Sequence, residues 1–268
     1  MRLSLLAVDF VTGGTGAIAP GPRALPPGLI ARHLDTSDTP GAAWACNRAI
    51  AAATGDLVLI CHSDDVVAPD WVANLSSALL RHPVVGGVCE ESSLNEDIKH
   101  WRSAGPVSTE LGTVDPLLPK VFCGANCGFH RQLFAKLGGF DPRVAPCDDV
   151  AFTFALTGAA IPIVVEPKAL ISYRHRRTYE GFERQYRSYG RGTTLSVAAY
   201  QHVGLRITAA QYVARVAHWL AHSPQARQNP WIRRRTERYL EGCHETLEVI
   251  QRDGIAPLPR SVFSEAIR

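Results

Sequence analysis

Apolar runs and polar breaks alternate along most of this chain, and their lengths predict strands alternating with helices. Leu3–Val11 reads as a buried strand. The Gly/Pro-rich stretch Gly13–Gly28 reads as a flexible loop, because Gly13-Gly14-Thr15-Gly16 lacks the Lys-Ser/Thr of a phosphate-binding loop. Gly41–Thr54 is alanine-rich and predicts a helix stopped by Gly55. The run Leu57-Val58-Leu59-Ile60-Cys61 predicts a second buried strand, and Pro69 sits near the start of a helix over Asp70–Arg81. In that helix Trp71, Leu75 and Leu79 recur four residues apart and form one apolar face. Val84–Val88 predicts a strand, and the polar region 92–120 is expected to fold over a site. Gln132–Leu137 and Asp148–Thr157 predict short helices closed by Gly138-Gly139 and by Gly158, and Ile161–Val165 and Ala169–Tyr173 predict short strands. From about Tyr179 the chain turns helical and rich in Arg, Tyr and Trp. The pattern predicts an α/β fold, with a mixed, mostly parallel sheet flanked by helices over residues 1–178 and a helical extension over 179–268.

Composition narrows the classes. At 268 residues and 46% hydrophobic content the chain can bury a full core. A net charge of +3 is too small to indicate nucleic acid as a partner. Lysine occurs only at Lys99, Lys120, Lys136 and Lys168, so arginine carries nearly all the positive charge, and its planar fork suits phosphate. Seven scattered cysteines without paired spacing, and no leader pattern at the start, suggest reduced thiols and a cytoplasmic protein. No apolar run approaches the roughly 20 residues that span a bilayer.

The chemistry concentrates where apolar runs stop. The 57–61 run ends at His62-Ser63-Asp64-Asp65, which places two carboxylates at the end of a buried strand, where open α/β sheets bind ligands. Core packing does not explain them; a cation or a hydrogen-bonded loop does. Asp9 could instead cap a turn. Asp148 and Asp149 occupy the first turn of a helix, where the macrodipole alone favours carboxylates. His175, within Tyr173-Arg174-His175-Arg176-Arg177, could be a solvated strand end.

Order changes these odds. An Asn-bearing helix (Gly41 to Ile50, with Asn47 and Arg48), the Gly55-Asp56 turn, an apolar strand and His62-Ser63-Asp64-Asp65 resemble the GT-A glycosyltransferases of family 2. Gly124-Ala125-Asn126-Cys127-Gly128-Phe129 followed by Gly138-Gly139-Phe140-Asp141 resembles that family's acceptor-side segment. Cys147-Asp148-Asp149-Val150 is similar to its Glu-Asp motif, and His175-Arg176 to its later His-Arg. The resemblance implies a GT-A-like, Rossmann-like fold over about residues 5–192. It implies a nucleotide-diphosphate sugar as donor, bound by Asp9, Asn47, Arg48, Asp64 and Asp65. A divalent metal, Mn or Mg, would sit on Asp64 and Asp65 with His62 and His175 in reach. Asn126, Gly139 and Phe140 would lie on the acceptor side. Asp149, with Asp148 as second choice, would be the general base of an inverting displacement, kept ionised at neutral pH by the helix N-terminus.

Two departures accompany the resemblance. His62 stands where the family has the first Asp of Asp-x-Asp, which favours Mn over Mg. The chain is also expected to begin after the family's first strand and Pro-x-Tyr/Phe-Asn loop. Both features favour a rival reading, a non-catalytic or accessory glycosyltransferase-like protein. A nucleotidyltransferase would need a Gly-rich, lysine-containing loop that is absent from the sequence. The basic and aromatic tail, with Phe182, Tyr186, Arg184 and Trp231-Ile232-Arg233-Arg234-Arg235, is expected to pack on the catalytic domain with solvated arginines. Its alternative is peripheral contact with the inner face of a membrane. The acceptor is thus expected to be a glycan, a lipid-linked or a small-molecule hydroxyl.

Overall fold

The structure is a computed structural model that describes residues 34, 36, 41–102 and 107–257; the expected strand 3–11, the loop 13–28 and Asp9 lie outside these. Helix α1 (Ala42–Ala52) leads to strand β1 (Leu57–Cys61), the two-residue strand β2 (Val66–Val67) and helix α2 (Trp71–Leu79). Strand β3 (Val84–Glu90) is followed by the polar segment, where Gly112 and Val121 make an isolated antiparallel bridge. Then come β4 (Asn126–His130), α3 (Arg131–Lys136), α4 (Asp148–Gly158) and β5 (Val164–Ser172). The remainder is helical: α5 (Tyr179–Ala199), α6 (Ala209–His222), α7 (Pro224–Gln228) and α8 (Pro230–Asp253).

The five described strands form one sheet in the order β1-β4-β3-β5-β2. It is mixed, as expected, but only β3 and β5 pair in parallel among the described strands; β1–β4, β3–β4 and β2–β5 are antiparallel. The expected balance toward parallel pairing is therefore not seen there. Alternating strands and helices suggest crossovers, whereas β4 enters the sheet from the long polar segment and runs the opposite way. The two strands expected at 161–165 and 169–173 are one, β5, whose register against β3 shifts between Val165 and Leu170. Exposed Pro167 and Lys168 occupy that irregularity, and a bulge is where a strand admits proline.

Phe129 and Phe134 stack at 4.5 Å, and Phe140 and Phe152 close on them edgewise or tilted to fill the core between sheet and helices. Gly138 (φ +89°) and Gly139 (φ +80°) end α3 in a left-handed turn that other residues rarely adopt, which brings Phe140 back into this cluster. A second core continues from α4 into the C-terminal helices, with Val150 and Phe154 packed with Val197, Tyr212, Val213 and Cys243. At the α5–α8 crossing, Gly190 and Gly242 let the backbones touch. A Cβ on either would lie 1.9 Å from a carbonyl oxygen of the facing helix, that of Tyr239 or Arg187. No helix among the described residues is long and apolar enough to cross a membrane.

Candidate active site

Strand polarity decides where the site lies. Cys61 ends β1 opposite Asn126 at the start of β4, while Glu90 ends β3 opposite Ser172 at the end of β5. These four residues therefore share one end of the sheet. Residues 62–65 join β1 to β2 at opposite edges, so this short link runs across that end and carries Asp64 and Asp65 with it. Arg174 holds the link down: its backbone N–H donates to Asp65 Oδ1 at 2.7 Å and its Nε donates to the Asp64 carbonyl at 2.9 Å. Arg174, not its neighbour His175, is the residue of this strand end that meets the acidic link. The signal was its position as the second residue past β5, next to the acidic link.

One potential ligand atom each from His62, Asp64 and Asp65 lies within 4.8 Å of the others. Burial lowers the His62 pKa, with Arg176 adding to the effect and Asp64 opposing it, which favours the neutral, ligating imidazole. Burial likewise pushes Asp65 up to about 6, against the Arg174 N–H. Asp65 Oδ2 is buried without a hydrogen-bond partner. An orphaned carboxylate oxygen beside an imidazole and a second carboxylate fits a divalent cation.

His175 does not join this cluster, contrary to expectation. Its backbone N–H donates to Asn95 Oδ1 at 2.8 Å, and its ring turns inward so that Nε2 lies 3.3 Å from Glu91 Oε2. Asn95 also donates to the carbonyls of Glu91 and Tyr173, so the strand end is pinned.

Asp148 and Asp149 occupy the first turn of α4, as expected. Asp149 Oδ2 accepts the Gly124 N–H at 2.9 Å and Oδ1 accepts the Val150 N–H at 2.8 Å, so the carboxylate is fixed in orientation with a lone pair left on each oxygen. The helix N-terminus does not act alone on this pair. Burial, and then repulsion by Asp149, push Asp148 up to about 7, and burial raises Asp149 despite its two N–H donors. Desolvation of two adjacent carboxyls outweighs the dipole.

Both carboxylate groups open onto one cavity of about 1490 Å³. His62, Asp64 and Arg176 line it together with Gly124, Phe140, Asp148 and Asp149, and residues of α5, α6 and α8 complete it. Asn47, Arg48, Asn126 and Gly139 are not among the lining residues. Asn47 is buried and clasps Phe140: its Nδ2 donates to the Phe140 carbonyl at 2.8 Å and its Oδ1 accepts the Phe140 N–H at 2.9 Å. Asn126 is fully buried, with Nδ2 donating to the carbonyls of Val88 and Ala169 and Oδ1 accepting from Trp71 Nε1 at 2.8 Å. Each is a brace beneath the site. Polar residues in an apolar run signal importance to the eye, but their partners are far away in sequence.

The fold is of the GT-A type. The chain superposes on a mannosyltransferase of Pyrobaculum calidifontis, solved with GDP-Man and Mn²⁺, with a TM-score of 0.51 and 18% identity, covering 82% of this chain and 69% of that one. Residues 6–138 match the family model described as glycosyl transferase family 2, and the chain belongs to that family. At lower TM-scores of 0.42 it overlaps glucosyl-3-phosphoglycerate synthase of Mycobacterium tuberculosis (18% identity, 67% of this chain and 61% of that one). The same score is reached with S. aureus TarS 1-349 in complex with UDP-GlcNAc (14% identity, 87% and 81%). No curated protein matches the chain.

Proposed function

We propose that this protein transfers a sugar from a nucleotide-diphosphate donor to an acceptor hydroxyl, with inversion and with a divalent cation. The observation that carries this reading is a single cavity lined both by His62 and Asp64 of the three-ligand cluster and by the Asp148–Asp149 pair, with Asp149 held in orientation by the Gly124 N–H. His62, Asp64 and Asp65 would hold the cation. Bound there, a hard cation supplies Lewis-acid stabilisation of charge on the departing diphosphate.

The protein's own residues then do the following. Arg174 keeps the acidic link in place through its two hydrogen bonds, and Arg176 adds positive charge beside His62. Asp149 takes the proton of the acceptor hydroxyl as that oxygen forms its bond to the anomeric carbon. The bond from that carbon to the diphosphate oxygen breaks, and its electron pair leaves with the nucleotide. Attack opposite the leaving group inverts the anomeric centre. A carboxyl raised toward neutrality by burial is a stronger base than a solvated one, so the desolvation that costs Asp148 and Asp149 stability serves proton transfer. Phe140 lines the same cavity and the Gly124 N–H is bound to Asp149, so both would face the acceptor.

The test is release of nucleotide from UDP-, GDP- and dTDP-sugars with Mn²⁺, followed for the wild type and for Asp149→Asn. The variant should lose turnover by about 10²–10⁴-fold, the usual contribution of a positioned base, while keeping its affinity for the nucleotide. Undiminished turnover would remove Asp149 as the base.

A further inference from the structure

Eight arginines lie on α5 and α8, and six of them have a carboxylate partner. Arg187 and Arg191 pair with Glu245, Arg233 with Glu237, Arg234 with Glu183, Arg238 with Glu183 and Glu241, and Arg252 with Asp253. The remaining two, Arg184 and Arg235, make no ion pair or hydrogen bond among the described residues, and both line the cavity that holds Asp64 and Asp149. Arg235 lies over the Tyr186 ring with its guanidinium carbon 5.9 Å from the centroid, so its plane is supported while its N–H groups stay unspent. Gln185, Tyr186 and Thr236 line the cavity between them and add neutral donors.

From this we infer that the C-terminal helices form the acceptor subsite, and that the acceptor is a hydroxyl compound carrying a phosphate group, which Arg184 and Arg235 bind. The inference rests on the glycosyltransferase reading above, since it makes this arm of the cavity the place of the second substrate. Charge is the argument. Two cations left without counter-charge on a helix pair that neutralises every other arginine call for a dianion from outside, and a phosphate monoester supplies it with oxygens that match guanidinium forks. The donor's own diphosphate has Arg176, beside His62, and the cation site as its positive groups, which leaves Arg184 and Arg235 for a second anion in the same cavity. The acceptor would thus be gripped by its phosphate at α5 and α8 and present its hydroxyl to Asp149.

The test is calorimetric titration of the full chain, preloaded with a nucleoside diphosphate and Mn²⁺, with glycerol 3-phosphate and separately with glycerol. Glycerol 3-phosphate should bind and glycerol should not. Arg184→Gln and Arg235→Gln should each weaken that binding at least tenfold, with nucleotide affinity changed less than twofold. Arg184 is exposed and neither guanidinium makes a hydrogen bond among the described residues, so the variants should melt like the wild type. Flotation with phosphatidic acid vesicles against phosphatidylcholine vesicles identifies a lipid-borne phosphate if only the former are bound, and bound in an arginine-dependent way. The inference is overturned if neither glycerol 3-phosphate nor phosphatidic acid binds, or if the double variant binds them as the wild type does. It is equally overturned if the substitutions weaken nucleotide binding instead. Loss of nucleotide binding in the wild type itself would instead strike the glycosyltransferase reading, so the two failures are distinguishable.

Discussion

Replacing Asn126 by alanine separates a structural brace from an acceptor ligand. Asn126 sits at the first position of β4, fully buried, and its side chain joins four elements: β4 itself, β3 through the Val88 carbonyl, β5 through the Ala169 carbonyl and α2 through Trp71 Nε1. Asn126→Ala removes all three hydrogen bonds and leaves two carbonyls and an indole N–H buried beside the vacated space. At about 1–3 kcal/mol for each of the three buried groups left unsatisfied, the loss should be about 3–9 kcal/mol. That is a large fraction of the roughly 5–15 kcal/mol that holds a domain folded. Urea unfolding measures it, with the midpoint falling and the slope unchanged. Trp71→Phe, which removes only the indole N–H, supplies a milder probe and should cost about 1–2 kcal/mol in the wild type. In the Asn126→Ala background it should cost less, because the N–H is already orphaned, and the two changes should couple by about 1 kcal/mol. A loss below about 1 kcal/mol for Asn126→Ala, accompanied by a raised acceptor KM, would refute the brace and return Asn126 to the acceptor side.

Other perturbations probe the remaining joints. Asn47→Ala cuts both links to the Phe140 backbone and should cost about 2–4 kcal/mol in urea unfolding, while nucleotide affinity stays within twofold; a selective loss of nucleotide binding would contradict this. Asp148 is about 7 when folded against 3.8 as its ordinary value, so the folded state holds the extra proton between those limits and stability falls as pH rises from about 4 to about 7. Asp148→Asn removes that cost and should raise stability relative to wild type at pH 8, on the order of 1–2 kcal/mol, with no gain at pH 4. A pH-independent difference in thermal melts would show that Asp148 is not desolvated. Gly190→Ala drives a methyl into the Tyr239 carbonyl and should cost about 1–3 kcal/mol or more by forcing α5 and α8 apart; an unchanged melting temperature would show that the crossing is looser than described.

Several elements were legible before any coordinates. Helices α1, α2, α3 and α4 fall within two residues or so of their expected bounds, because apolar periodicity and terminal glycines both mark them. Asp64 and Asp65 stood out because a β-branched run stops at them, and the acidic pair at the start of α4 because it opens a helix. Less was legible where partners are remote. Nothing local shows that Asn126 meets Trp71, or that Asn47 meets Phe140, 93 residues away, so both read as ligands when they are braces. His175 failed as a metal ligand for a similar reason: Asn95, 80 residues earlier, captures its backbone and turns its ring toward Glu91. The arginine pairing on α5 and α8 was invisible too. Sequence spacing shows which charges lie on a helix, but only the packing of the two helices shows which of them are left without a partner.

The decisive measurement is titration of the purified chain with UDP, GDP and dTDP, each in Mn²⁺ and in EDTA, with Asp64→Asn alongside. If the protein is a metal-dependent nucleotide-sugar transferase, one nucleotide binds in Mn²⁺, the heat disappears in EDTA, and Asp64→Asn weakens binding at least tenfold. A folded protein that binds none of the three, or binds one equally well in EDTA and in Asp64→Asn, contradicts that function.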